Sequence, residues 1–147
     1  MKYLFDTDHL SILQRRTGYA YVNLLARISQ QSLSEFAVSI VSFHEQTLGA
    51  HAYLNRVSDV EKLIQGYDRL ELILSHFKVL TVLPFDRAAA KRFSDLLAQQ
   101  VRGTTMDLRI AAIALSRDLT LLTRNQRDFV KVPGLKLEDW TIAPEGE

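Results

Sequence analysis

Tyr3-Leu4-Phe5-Asp6-Thr7-Asp8, running on into His9-Leu10-Ser11-Ile12-Leu13, is an apolar run that stops on an acid and turns at once into a helical pattern. Three consecutive bulky apolar residues read as a buried strand. Thr7 or Asp8 supplies an oxygen to cap a short helix through Leu13. The same alternation returns along the chain. Residues 36–39 read as a second strand, followed by a helix over 41–55 in which Ser42 and Glu45 have capping-box spacing. Gly18 interrupts the pattern before a helix over 21–29. Val60, Leu63, Ile64, Tyr67, Leu70 and Ile73 follow a helical period that Gly66 is expected to kink. Residues 78–83 read as a third strand ended by Pro84, and Asp86 caps an Ala-rich helix to about Gln100. A polar loop over 101–105 precedes an apolar helix over 107–116. Residues 120–123 form a fourth strand, and Pro133-Gly134 turns the chain into a short strand over 135–137. Apolar strands alternating with helices imply an α/β fold: a mostly parallel central sheet of four to five strands, covered by helices on both faces.

Composition sets limits. The chain has 147 residues, 47% hydrophobic and 24% charged, which is enough for one ordinary domain with a real core. There is no repeat and no linker, so residues 1–147 read as a single domain. Cysteine is absent, which excludes disulfides, thiolate metal sites and thiol nucleophiles and fits a reducing cytoplasm. No apolar run is long enough to span a membrane, and Asp6 breaks the N-terminal run at once. The net charge is +1, so overall charge makes no case for nucleic acid, yet 12 Arg stand against 6 Lys. Arg carries a planar fork suited to phosphate.

Four carboxylates stand at element boundaries: Asp6, Glu45, Asp107 and Asp128. Each has an ordinary explanation. Asp6 ends a strand, Glu45 fits a capping box, Asp107 suits a helix N-terminus three residues after Thr104, and Asp128 can be a surface turn residue beside Phe129. Asp8 reads first as an N-cap. Together they say more, because ligands in parallel α/β sheets gather beyond the carboxyl ends of the strands. Two like charges about 4 Å apart cost roughly 4 kcal/mol at an effective dielectric near 20. A cluster of acids is tolerated by protonation or by a cation, and an all-oxygen donor set suits a hard ion such as Mg²⁺ or Mn²⁺. That chemistry points to phosphate esters. His9, His44, His51 and His76 read as packing or surface residues, and no Gly-rich phosphate loop or Ser-His-Asp order is present.

Several stretches carry a family resemblance: YLFDTDHLS at the start, VSFHEQTLGA, VLPFDRAAAKRF, DLRIAAIAL, and LTLLTRNQRDFVKVPGLKLEDW near the end. In that order, over nearly the whole chain, the sequence resembles PIN-domain ribonucleases, in particular the VapC-like toxins of toxin–antitoxin pairs. The resemblance implies a PIN-like three-layer sandwich and a Mg²⁺- or Mn²⁺-dependent endoribonuclease. It places Asp6, Glu45, Asp107 and Asp128 in one acidic metal site. Thr7, Ser39, Thr123 and Asn125 fall where polar side chains support that site, and Arg109, Arg124 and Arg127 are placed to guide an RNA backbone. It also implies a cognate protein antitoxin, and the helices between Val41 and His76 offer a homodimer surface. Here Asp8 follows the first Asp-Thr pair and adds a fifth negative charge, and Gln46 stands where relatives often carry Leu. Two other readings compete. One is a PIN scaffold that binds RNA or protein without cutting. The other is a haloacid-dehalogenase-like phosphatase, suggested by the spacing of Asp6 and Asp8, although Leu10 stands where that family places a small residue or Thr.

Overall fold

Five short strands form one all-parallel sheet in the order β3-β2-β1-β4-β5: β1 (Tyr3–Phe5), β2 (Phe36–Ser39), β3 (Thr81–Leu83), β4 (Thr120–Leu122) and β5 (Lys136–Glu138). The computed structural model describes residues 1–144. The reading of 1–147 as one domain also takes in residues 145–147, which lie outside the described residues. Among the described residues, seven α-helices and a 3-10 turn over Leu33–Glu35 connect the strands: α1 (Thr7–Arg15), α2 (Gly18–Ile28), α3 (Ile40–Arg56), α4 (Val60–Val79), α5 (Arg87–Ala98), α6 (Thr105–Ser116) and α7 (Gln126–Phe129).

The pleat makes the sheet two-sided, since successive side chains on a strand point to opposite faces. Leu4, Ala37 and Leu121 turn to one face, where they pack with Val41 of α3, Leu96 of α5 and Ile110, Ala111, Ile113 and Ala114 of α6. Phe5, Phe36 and Leu122 turn to the other, against Ile12 of α1, Leu24 of α2 and Trp140. The Phe5 and Phe36 rings stack with centroids 5.2 Å apart, and Trp140 meets Phe36 edge-on at 5.8 Å. Two cores on two faces give the three layers expected. All five strands are parallel, so the sheet is more regular than the expected "mostly parallel" one.

Pairing register brings three strand ends level. Phe5 pairs with Val38 on one side and Leu122 on the other. The next residue along each strand therefore lies in one row: Ser39, Asp6 and Thr123, with Asp6 in the middle. The chain runs outward from β1 through β2 to β3, then crosses to β4 on the opposite side of β1. The gap between β1 and β4 is thus the switch point where such sheets bind ligands.

Boundaries differ from the sequence reading where a helix overruns or a cap moves. Asp6, not Thr7 or Asp8, caps α1, its Oδ1 accepting the Thr7 N–H at 2.8 Å. Ser39 caps α3 through the Ser42 N–H at 3.0 Å, so Ser42 and Glu45 lie inside the helix and form no capping box. Asp59 caps α4, its Oδ1 accepting the Glu61 N–H at 2.8 Å. That helix continues through Val79, which is 69% exposed and contributes nothing to a strand, so β3 starts at Thr81 rather than at 78. Asp86 caps α5 as read, accepting the Ala89 N–H at 3.0 Å.

Gly66 does not interrupt α4, which runs unbroken from Val60 to Val79. It is the close-approach point of the α3–α4 hairpin. A Cβ there would meet Leu54 Cδ2 at 2.5 Å and Tyr53 Cδ1 at 3.1 Å. Alanine would gain about 1 kcal/mol of helix propensity, while overpacking typically costs about 1–3 kcal/mol. Gly66→Ala is expected to lose about 1 kcal/mol net, read as a lower urea midpoint at unchanged slope; a higher midpoint would show that the hairpin opens freely.

Candidate active site

Asp6 leaves β1 at the centre of the sheet edge and is 6% exposed. Its oxygens are both held. Oδ1 accepts the Thr7 N–H, and Oδ2 accepts the Thr123 hydroxyl at 2.7 Å. Thr123 is itself oriented by the Asn125 N–H, which donates to its Oγ1 at 2.9 Å. Asn125 thus serves the site through its backbone.

Glu45 lies in the second turn of α3. Its Oε1 accepts the Thr7 hydroxyl at 2.8 Å, and Thr7 Oγ1 stands 2.9 Å from Ser42 Oγ. A hydroxyl has one proton to give. Thr7 therefore donates to Glu45 and accepts from Ser42, which Ser39 braces from the cap of the helix. Of the four supporting residues read from the sequence, Thr7 and Thr123 touch the acids directly, and Ser39 acts through Ser42.

Asp107 is the third residue of α6, and its N–H donates to Thr104 Oγ1 at 3.1 Å. Asp128 sits in α7, the short helix after β4, where the sequence suggested only a turn. The four acids come from the junction of β1 and α1, from α3, from α6 and from α7, and electrostatics ties them together. Burial pushes the Asp6 carboxyl up from 3.8 to about 7, aided by the charges of Asp8 and Asp107 against the hydrogen bonds from Thr123 and Thr7. Burial also raises Glu45, with Asp107 and Asp8 adding to the shift, while Thr7 and His44 oppose it. Asp107 is raised by burial and by Asp128 and Asp8, against the Thr104 hydrogen bond.

Asp8 emerges as a fifth member that the sequence treated mainly as a helix cap. It is the second residue of α1, and its charge is felt by Asp6, Glu45 and Asp107 alike. Its Oδ2 accepts the Arg124 N–H at 2.9 Å, and its Oδ1 lies 2.7 Å from Nδ1 of His9. His9 is fully buried, and its Nε2 accepts the Trp140 N–H at 3.2 Å. Nε2 therefore carries no proton, and Nδ1–H donates to Asp8. This relay ties the segment after β5 to α1 and to the loop after β4. The available sequence signal was the triplet Asp6-Thr7-Asp8 beside a lone His inside an apolar run.

The arginines separate. Arg124 and Arg127 have exposed side chains beyond β4. Arg109 is half-buried, its guanidinium 5.9 Å from the centroid of Phe93.

The donor set fits a hard divalent cation: carboxylate and hydroxyl oxygens, three of the carboxyls raised by burial and shared repulsion. Among the described residues, no group of three or more acidic or imidazole side chains is gathered closely enough to enclose an ion. The fit is thus to an ion with few direct side-chain ligands and several waters, which is how Mg²⁺ is usually held.

The PIN domain family model matches residues 3–135. A tRNA(fMet)-specific endonuclease VapC from Salmonella typhimurium is 31% identical over 111 residues, 73% of this chain and 76% of that protein. The protein of the same name from Shigella flexneri is 28% identical over 145 residues, covering 96% and 99%. Among solved structures, DNA-bound VapBC from Salmonella typhimurium aligns with a TM-score of 0.73 at 23% identity, over 95% of this chain and 98% of that one. This last is a likeness of fold.

A carboxyl whose folded-state pKa lies above its unfolded value stabilises the fold most when protonated. For Asp6 that benefit is complete below 3.8 and is lost as pH rises toward about 7. Asp6→Asn is therefore expected to raise the unfolding free energy from urea titration by about 2 kcal/mol in metal-free buffer at pH 8. The advantage should shrink steadily toward pH 4. A variant less stable than the parent at pH 8 would show that Asp6 is not strained by its neighbours.

Proposed function

This chain belongs to the PIN domain family, among its VapC-like members, and from that premise we propose that it is a Mg²⁺- or Mn²⁺-dependent endoribonuclease, the toxin of a toxin–antitoxin pair. One observation carries the reading: Thr7 gives its N–H to Asp6 at the sheet edge and its hydroxyl to Glu45 on α3, and Asp107 on α6 acts on both carboxyls. Acids from distant parts of the chain thus share one electrostatic environment.

In this reading Asp6 and Asp107 would hold the principal ion, directly or through water, Glu45 and Asp128 would complete the acidic surround, and Asp8 would add negative charge. When bound, a hard divalent cation supplies Lewis acidity toward the phosphodiester and offsets the negative charge that builds during its cleavage. The chain's own groups do the rest. Thr123 and the Thr7 N–H keep the Asp6 carboxylate turned to the gap between β1 and β4. Thr7 Oγ1 holds Oε1 of Glu45, and the second oxygen of Glu45 takes a proton from the attacking water, a role that a raised pKa favours. Arg124 and Arg127 meet the RNA backbone beyond β4.

The relatives named for tRNA(fMet) cleavage suggest a structured RNA substrate, and a nuclease acting on such an RNA and held by an antitoxin would work in the cytoplasm. No helix among the described residues is long and apolar enough to cross a membrane. Two partners need surfaces. A protein antitoxin would silence the nuclease. A second copy would cover the α3–α4 hairpin, where Leu48, Val60, Ile64 and Tyr67 are each about half exposed or more. Isolated exposed apolar residues are ordinary, but a run at helical spacing marks an interaction face.

Purified protein should cut initiator tRNA or total RNA with Mg²⁺ and stop on addition of EDTA. Asp6→Ala and Asp107→Asn should abolish cutting, and Thr123→Val should slow it by about 10–100-fold. Equal cutting in all samples would assign the activity to a contaminant. Light scattering should give about twice the 16.8 kDa chain mass. Tyr67→Asp should halve that mass; a parent already monomeric at micromolar concentration would remove the hairpin as a self-association face.

A further inference from the structure

A recess of about 520 Å³ opens beside the acids, lined by Ile40, Val41 and His44 of α3, Phe85 after β3, Phe93 of α5 and Arg109 of α6. We propose that this recess receives an unpaired nucleobase from a single-stranded stretch of the RNA, stacked among Phe85, Phe93 and the Arg109 guanidinium, while the adjoining phosphate lies toward Glu45 and Asp107. The proposal deepens the nuclease reading and rests on it for the position of the phosphate.

Four observations carry it. The size falls within the range of sites that take small organic ligands. The walls are apolar and aromatic, with Phe85 and Phe93 in edge contact at 5.9 Å and the Arg109 guanidinium 5.9 Å from the Phe93 centroid. Phenyl rings and guanidinium planes are the surfaces on which splayed RNA bases stack. The polar lip is formed by the Arg109 guanidinium and the His44 imidazole, and no carboxylate lines the recess. Among the described residues Arg109 makes no ion pair, and the polar contact of its guanidinium is with Met106 Sδ at 3.9 Å. Finally, the recess adjoins the acids. Val41 in its wall stands four residues before Glu45, on the same face of α3, and α3 packs against α6, which carries Asp107. A strand with its base in the recess thus has its backbone at the acid cluster, and Arg109 would recognise the base rather than guide phosphate.

The probes are short fluorescent oligoadenylate and an abasic ribose-phosphate strand of the same length. Binding is measured by anisotropy to the Asp107→Asn chain, in which cutting is disabled. Oligoadenylate should bind about tenfold more tightly than the abasic strand. Adding Arg109→Gln, a partly exposed change that leaves the core alone, should remove most of that difference; Phe93→Leu should do the same if it folds. Equal binding of the two strands, or an unchanged difference in Arg109→Gln, would overturn the proposal and leave the recess to a protein segment. The two readings fail separately. If the parent chain cuts both strands equally well, the nuclease stands and the base recess falls. If nothing is cut but base-dependent binding persists, the recess stands and the nuclease falls.

Discussion

A carboxylate buried at the centre of a parallel sheet edge sets the terms for everything around it. Asp6 cannot move away, because β1 is paired on both sides. It cannot shed its charge cheaply to water, because it is 6% exposed. The fold answers with two hydrogen bonds, from the Thr7 N–H and the Thr123 hydroxyl. These lower the cost but do not cancel it, since burial and the neighbouring acids still win. What remains is a carboxyl that keeps its proton up to about pH 7.

The same residues that relieve Asp6 also assemble the wider site. Thr7 contributes its N–H to Asp6 and its hydroxyl to Glu45, coupling the start of α1 to α3. Thr123 joins β4 to β1, and Asp8 joins α1 to the loop after β4 through the Arg124 N–H. His9 extends that tie to Trp140, whose indole fills the face of the sheet lined by Phe5 and Phe36. Core packing on one face and electrostatics at the edge are thereby linked through a single buried imidazole. Loss of packing around Trp140 would be felt at Asp8, and through Asp8 at the acids.

The α3–α4 hairpin stands apart from this machinery. Its inner seam is tight at Gly66 against Leu54 and Tyr53, while its outer apolar residues face solvent. Rigidity there and exposure beyond it suit a surface that presents a fixed shape to a partner. The recess under Phe85, Phe93 and Arg109 has the opposite character, concave and next to the acids. Partner and substrate would thus use different faces of α3.

Period and punctuation determined the strands, the helices, the parallel sheet and its two covered faces, because apolar runs and helical spacing are local properties. The residues of the acidic cluster were also legible, though only as a set, since each acid alone had a local excuse at a helix end. Tertiary structure decided which excuses held. Ser39 took the cap of α3 and freed Glu45 from that duty, and Asp6 took the cap of α1 and freed Asp8. Asp107 kept its place one turn from the Thr104 cap while also facing the other acids. Register decided the rest. Which side chains meet at the edge depends on how β1, β2 and β4 align, and that alignment is set by packing between residues far apart in the chain. No local pattern encodes the row of Ser39, Asp6 and Thr123, nor the buried thread from Asp8 through His9 to Trp140.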